Sequence, residues 1–256
     1  MAATVLSGTS GALYYKPAGT LGRFDSSGVS TANDEVTVAP FLNFKVGDPV
    51  VFSVVDTTDG SAGTGTLPSG IVAATTYYVI SYTNTTGVLQ VSATSGGSTI
   101  TITDTGTVVS PNSFQVEYAS FASVAQVREW SFEISRDEID VTTIGATPGQ
   151  YVPFRTFIAG FADGSGNATV YFTDTDDTLG NRMVEDVVQR IQTGASFKLY
   201  TDQVFSGGTL NDTLSRSIEF EASLTSATLS INPDDAQSVE IAFRPTNTPS
   251  FDFAKS

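Results

Sequence analysis

The chain contains no cysteine and no histidine. Without cysteine there is no disulfide and no thiolate metal site. Without histidine the commonest general base is missing, and with it the Ser-His-Asp triad and every imidazole-ligated metal centre. Paired carboxylates could still cleave glycosides, but an acidic β-protein offers such pairs everywhere, so their presence distinguishes nothing. Basic residues are scarce, 12 against 27 acidic ones, for a formal charge of −15. A surface of that sign repels nucleic acid and anionic lipid. No apolar run approaches the roughly 18 residues that span a bilayer. The opening MAATVLSGTSGALYY has no basic residue ahead of its apolar stretch, unlike a signal peptide. These absences point away from catalysis, cofactors, metals, membranes and the usual export route.

Present instead are 40% hydrophobic residues, 23 glycines, 17 phenylalanines and only 15% charge over 256 residues. Short apolar runs alternate with turn residues, the signature of a mainly β protein long enough to bury a core. Residues 25–118 hold one basic residue, Lys45, against eight acidic ones. Their strand patterns are EVTVAPFLNF, DPVVFSVV, TYYVISY, GVLQVSA, STITITDTGT and SFQVEYA, with hairpin turns expected at Asn84-Thr85-Thr86-Gly87 and at Gly96-Gly97. Six such strands could close a small barrel or sandwich. Residues 119–256 add one helix pattern, in which Met183, Val184, Val187, Val188 and Ile191 form an apolar stripe. Arg182, Glu185, Asp186, Gln189 and Arg190 take its solvent side, with Asp176 or Asp177 as cap and Gly194 just past the end. Turns are expected at Asp163-Gly164-Ser165-Gly166-Asn167 and at Asn232-Pro233-Asp234-Asp235. The layout is a discontinuous core of residues 1–24 and 119–256, with residues 25–118 inserted in an early loop. Loop closure tolerates such an insertion because its entropy grows slowly with length.

Alternation along strands sets which residues share a face. In VREWSFEI, Trp130, Phe132 and Ile134 oppose Glu129 and Glu133. In RSIEFEASL, Ile218, Phe220, Ala222 and Leu224 oppose Glu219 and Glu221; in SVEIAF, Val239, Ile241 and Phe243 oppose Glu240. One wet face is ordinary for an antiparallel sheet, yet carboxylates recur on three separate strands. After the first of these strands comes a mixed-sign cluster, Arg136, Asp137, Glu138 and Asp140, read as a loop or exposed turn. The terminal PSFDFAKS carries Phe251 and Phe253 with no evident core to enter.

In order and spacing, VREWSFEISRDEIDVTTIG, YVPFRTFIAGFADGSGNATVYFTD, NRMVEDVVQRIQTGASFKLYTD and IEFEASLTSATLSINPDDAQSVEIAF, preceded by GALYYKPAGTLGRF, resemble a phage tail tube (major tail) protein. FKVGDPVVF, LPSGIVAATTYYVI and LQVSATSGGSTITITDTGT resemble a β-module of phage tail and fibre proteins, whose usual assignment is decoration of the outer surface. The resemblance implies a tail-tube fold of sandwich or half-barrel sheets with one flanking helix, carrying an inserted all-β domain. It implies a virion subunit, made in the host cytoplasm, that self-assembles into stacked hexameric rings. Other tail proteins (terminator, baseplate or tip, sheath) would be its partners, and viral DNA would pass through the lumen without specific binding. It requires no catalytic residue, cofactor or metal. On this reading Glu129, Glu133, Glu219, Glu221 and Glu240 are candidate lumen-lining residues, where carboxylates would repel phosphate. Arg136, Asp137, Glu138, Asp140, Phe251 and Phe253 are candidates for contact with a neighbouring subunit, the charged cluster lying on a loop or hairpin arm.

Other functions remain as alternatives. Asp174, Asp176 and Asp177 have calcium-like spacing but lack the glycine and distal glutamate of an EF-hand loop, and they are read as helix capping and solvation instead. The Gly-containing stretch 163–167 lacks the lysine and following helix of a phosphate loop. Tyr77, Tyr78 and Tyr82 could stack on sugar in a fibre or adhesin; alternation puts Tyr78 and Tyr82 on one face and Tyr77 on the other.

Overall fold

Long alternating segments become long strands. A computed structural model describes residues 10–125, 127–142, 155–171, 179–231 and 236–253; among these the chain is mainly β, with a single α-helix, Leu179–Val188. Two large antiparallel sheets dominate. The eight-stranded sheet runs Ala122–Ser123, Ala12–Lys16, Ser196–Asp202, Arg216–Ser230, Ser238–Pro245, Phe157–Tyr171, Val127–Asp140, with Ser250–Asp252 added beside Arg216–Ser230. The seven-stranded sheet runs Leu21–Phe24, Asn112–Tyr118, Pro49–Asp56, Tyr77–Thr83, Val88–Ser92, Glu35–Thr37, Val29–Ser30. Leu21–Phe24, grouped by the sequence reading with the core pieces, hydrogen-bonds in the seven-stranded sheet.

Each sheet has its own apolar cluster. Leu13, Tyr15, Phe197, Leu199, Phe220, Ile241 and Phe243 belong to the first, and Phe24, Val50, Phe52, Leu89, Phe114 and Val116 to the second. In the first, the rings of Phe132, Phe220, Phe197 and Phe243 stack successively at 4.8, 5.9 and 4.3 Å between centroids. Arg216–Ser230 is shared by two leaves of its sheet. Its first half pairs with Ser196–Asp202 and its second with Ser238–Pro245.

Several expectations are corrected. Residues 163–167 do not turn; they lie inside the strand Phe157–Tyr171, opposite Ser131 to Ser135. The glycine is there for space. A Cβ at Gly166 would lie 2.6 Å from Phe243 Cζ and 2.7 Å from the Ser131 carbonyl oxygen, so the strand can cross the ring only without a side chain. STITITDTGT is largely irregular, with only Thr107 in a regular strand. Its Ile102 is nevertheless buried, and its amide bonds the Asp34 carboxylate at 2.8 Å. The turn at 84–87 joins Tyr77–Thr83 to Val88–Ser92 as expected. The turn at 232–235, the cap residues Asp176 and Asp177 and the calcium-like cluster lie outside the described residues.

The helix departs most from its sequence reading. Met183 is buried and Val184 and Val187 pack on the first cluster, but Val188 is 85% exposed and Ile191 packs on the second cluster. Arg182 and Asp186, assigned to solvent, are 6% and 0% exposed. Gly194 does not close the helix, which ends at Val188. Gln192 does so instead, its side-chain amide donating to the carbonyls of Asp186 at 2.6 Å and Gln189 at 2.7 Å.

Candidate functional site

The leaf formed by Val127–Asp140, Phe157–Tyr171, Ser238–Pro245 and the second half of Arg216–Ser230 has two unlike faces. One face is core: Trp130 and Phe132 pack on Ala168, Val170, Val239, Ile241, Phe243 and Leu224. On the other, register puts Glu129, Thr169, Glu240 and Thr228 in one row across all four strands. The adjacent row is Ser131, Asn167, Ala242 and Ser226. The Ser131 hydroxyl donates to Asn167 Oδ1 at 2.5 Å, and Asn167 Nδ2 donates to Glu240 Oε1 at 3.0 Å. Glu133 opposes Ser165 one step further on. Glu129, Glu133 and Glu240 are all exposed. Their side of the leaf is small, polar and acidic, and the core has no need of it.

Glu219 and Glu221 share this face of the sheet but sit on the other leaf. Glu219 lies 3.5 Å from Lys198, which also holds Asp212 at 2.6 Å. Burial works against the Asp212 charge, but its bonds to Lys198 and Tyr200 outweigh that and hold its carboxyl below the ordinary range. Glu221 is opposite Ser196, which is opposite Lys16. The structure therefore brings Glu129, Glu133 and Glu240 together on an acidic leaf, where Arg244 lies 3.6 Å from Asp163, and sets Glu219 and Glu221 apart on the other leaf, Glu219 beside Lys198.

Of the loop, exposed turn or hairpin arm expected for the charged cluster, the structure shows the arm: its four residues lie at the end of a strand. Val127–Asp140 continues through all four residues, paired with Phe157–Tyr171 as a two-stranded ribbon that outruns the leaf. Arg136 Nε donates to the Gly160 carbonyl at 3.2 Å, and Asp140 accepts from the Thr142 amide at 2.9 Å. Both faces of the ribbon carry exposed apolar groups: Ile134 at 49% (expected in the core), Ile139, Phe157, Ile158 and Phe161 at 88%. Ile134 leaves the core because the neighbouring strand Ser238–Pro245 is paired with the ribbon only along 166–171. Phe251 and Phe253, expected on a free tail, lie on and just past the strand Ser250–Asp252, paired with Ser217 to Glu219; their rings are 5.6 Å apart and about half exposed.

The leaf also has open backbone edges. Among the described residues, Val127–Asp140 pairs with one strand only, and Arg216–Ser230 pairs beyond Leu224 with one strand only. Unpaired edges invite another strand.

Between the two sheets lies a polar cluster that sequence reasoning missed. Arg182 makes a double ion pair with Asp48, at 2.5 and 2.9 Å, and donates to the Asn43 carbonyl. Asp186 accepts from the Tyr15 hydroxyl at 2.7 Å, the Ala18 amide at 3.0 Å and Asn43 Nδ2 at 2.6 Å. Burial opposes the Arg182 charge, but the Asp48 carboxylate more than offsets it and raises the guanidinium further. Burial, reinforced by Asp186, drives the Tyr15 hydroxyl well above its ordinary range. The only sequence signal was Arg182 and Asp186 at i and i+4, which reads as a solvated helix pair.

Burial also raises the Asp186 carboxyl, against the pull of its bonds from Tyr15 and Ala18 and of the Arg182 and Lys45 charges. A raised folded-state value means stability that is present below the ordinary carboxylate range and lost as pH rises through the folded value. Asp186→Asn should therefore cost most in mild acid and less at neutral pH. Paired urea unfolding of parent and variant at about pH 4.5 and about pH 7 measures this. A penalty that is flat or grows with pH contradicts it.

Tyr77 and Tyr82 of the seven-stranded sheet are occupied. A register shift between Val79 and Ser81 turns Tyr82 onto the same cluster as the buried Tyr77, contrary to simple alternation. Their hydroxyls bond the Leu42 and Val72 amides. Among the described residues no group of acidic residues is arranged to hold a metal ion, and no helix is long and apolar enough to cross a membrane.

No protein-family model and no curated protein matches the chain. Several solved structures are similar to part of it, among them three assemblies. The tail of an empty GTA particle, refined helically with C6 symmetry, has a TM-score of 0.36 and 17% identity, covering 52% of this chain and 86% of that one. The virion of a native gene transfer agent (GTA) particle has a TM-score of 0.36 and 16% identity, covering 52% and 88%. The SPP1 tail tube, a hybrid NMR and cryo-EM structure, has a TM-score of 0.33 and 15% identity, covering 53% and 71%.

Proposed function

We propose that this chain is the structural subunit of a phage tail tube. The observation that carries the reading is the four-stranded leaf, with a buried apolar face, an acidic face and two open edges. Joined edge to edge, the Val127–Asp140 strand of one copy lies against residues 225–230 of the next. The leaves then form one continuous sheet with Glu129, Glu133 and Glu240 on the lumen side. Carboxylates there keep phosphate from binding, so DNA passes without being held. Six copies per ring and stacking of rings follow from the sequence resemblance. The ribbon, with Arg136, Asp137, Glu138 and Asp140 among exposed apolar residues, reaches a neighbouring subunit, where charge pairs fix register. Phe251 and Phe253 supply a second contact.

Residues 25–118, with Leu21–Phe24 completing their sheet, form an inserted domain on the outer surface, because six copies of it would block a lumen. The terminator, baseplate or tip, and a sheath where the tail contracts, are the other partners, and the protein resides in the virion. Electron microscopy of the purified full chain tests the reading. Rings or tubes with a central channel are expected; single chains at every concentration and salt would overturn it.

A further inference from the structure

The two sheets meet through charge rather than through a shared apolar core. Of the hydrophobic residues after 118, Ile191 is one that crosses to the second cluster, while the buried contact is made by Tyr15, Asn43, Asp48, Arg182 and Asp186. Two backbone segments also cross the junction. Gly19, at φ +72°, bonds the Thr193 carbonyl through its amide at 2.9 Å and receives the Asn43 amide at 2.8 Å. A Cβ at Gly19 would lie 3.0 Å from the Ile191 carbonyl oxygen, so the crossing is tight as well as left-handed.

We propose that this buried polar contact is an orientation lock, fixing the angle between the two sheets without adding to the stability of either. Apolar surfaces slide on one another at little cost, whereas a buried guanidinium has one position that satisfies it. The Arg182 fork meets both Asp48 oxygens and the Asn43 carbonyl from the same turn, so rotation of the seven-stranded sheet breaks all three bonds together. Asp186 does the same from the next turn of the helix, taking donors from both sides of the junction, Tyr15 and Ala18 on one and Asn43 on the other. The site is not built for maximal stability: Arg182 Nε is buried with no hydrogen-bond partner among the described residues, and the cluster holds two carboxylates for one cation. This inference stands on the junction alone and does not depend on tube assembly.

The absence of cysteine permits a direct test. Val72→Cys and Val188→Cys place one spin label on each side of the junction, at positions 61% and 85% exposed. Pulsed electron spin resonance then reads the distance distribution in the full chain. The parent should give one narrow distance. Arg182→Met with Asp48→Leu should broaden it at least twofold while thermal unfolding shifts by less than about 4 °C. A distribution that stays narrow in the double variant overturns the lock. So does a double variant that unfolds, because the contact would then be carrying stability rather than orientation.

Discussion

Asp48→Ala should lower the unfolding free energy by about 3–5 kcal/mol, the cost of leaving one partner of a buried ion pair uncompensated. The Asp48 and Arg182 side chains are 8% and 7% exposed, so water cannot replace the missing charge. Tyr118, whose ring lies 6.0 Å from the guanidinium, offers only its face. Arg182→Ala should cost a similar amount, since it strands Asp48 in the same site. The apolar double substitution described above should recover most of either loss, because it removes both charges of the pair at once and leaves Asp186 with its donors from Tyr15, Ala18 and Asn43. Urea unfolding, read as a change in midpoint at constant slope, measures each variant. A single-variant loss under about 1 kcal/mol would put the pair in the class of solvent-exposed salt bridges and contradict its burial.

On the proposed tail-tube function, replacing Glu129, Glu133 and Glu240 together by lysine should turn a tube that ignores DNA into one that holds it. Three such changes move the formal charge of each chain from −15 by +6, to −9, and all of the change falls on one leaf. None of the three side chains enters the core, so tubes should still assemble. With several phosphates neutralised at once, retention should fall about 10³-fold or more between about 50 and about 200 mM salt, the mark of counterion release. Filter retention of labelled DNA by assembled parent and variant tubes, at a series of salt concentrations, is the measurement. Variant tubes that pass DNA as the parent does would place these residues away from the channel.

The alternating runs determined much of this molecule before any coordinates. VREWSFEI, RSIEFEASL and SVEIAF each specify an apolar face and an acidic one, because side chains alternate across any extended strand. The absence of histidine and cysteine removed whole classes of chemistry in the same local way. Composition and periodicity also gave the mainly β class and the single helix. What they could not give was where strands end and what lies across from them. Glycines at 164 and 166 read as a turn, yet they are strand residues that make room for Pro245 and Phe243, contacts with a segment some 80 residues away. For Arg136, Asp137, Glu138 and Asp140 the sequence left loop, turn and hairpin arm open for the same reason: a ribbon is held by its partner strand, which periodicity does not reveal. The five carboxylates looked alike in sequence, and only register divided Glu129, Glu133 and Glu240 from Glu221 and from Glu219, which lies beside Lys198. Arg182 and Asp186 show the limit most clearly. A charged pair on a helix is placed in solvent by every local rule, and it is buried here because Asp48 supplies the opposite charge and Tyr15, Ala18 and Asn43 supply the donors, all over 130 positions earlier. Side-chain facing is decided by neighbours along the chain, whereas burial of charge is decided by neighbours across it, and only the tertiary structure supplies those.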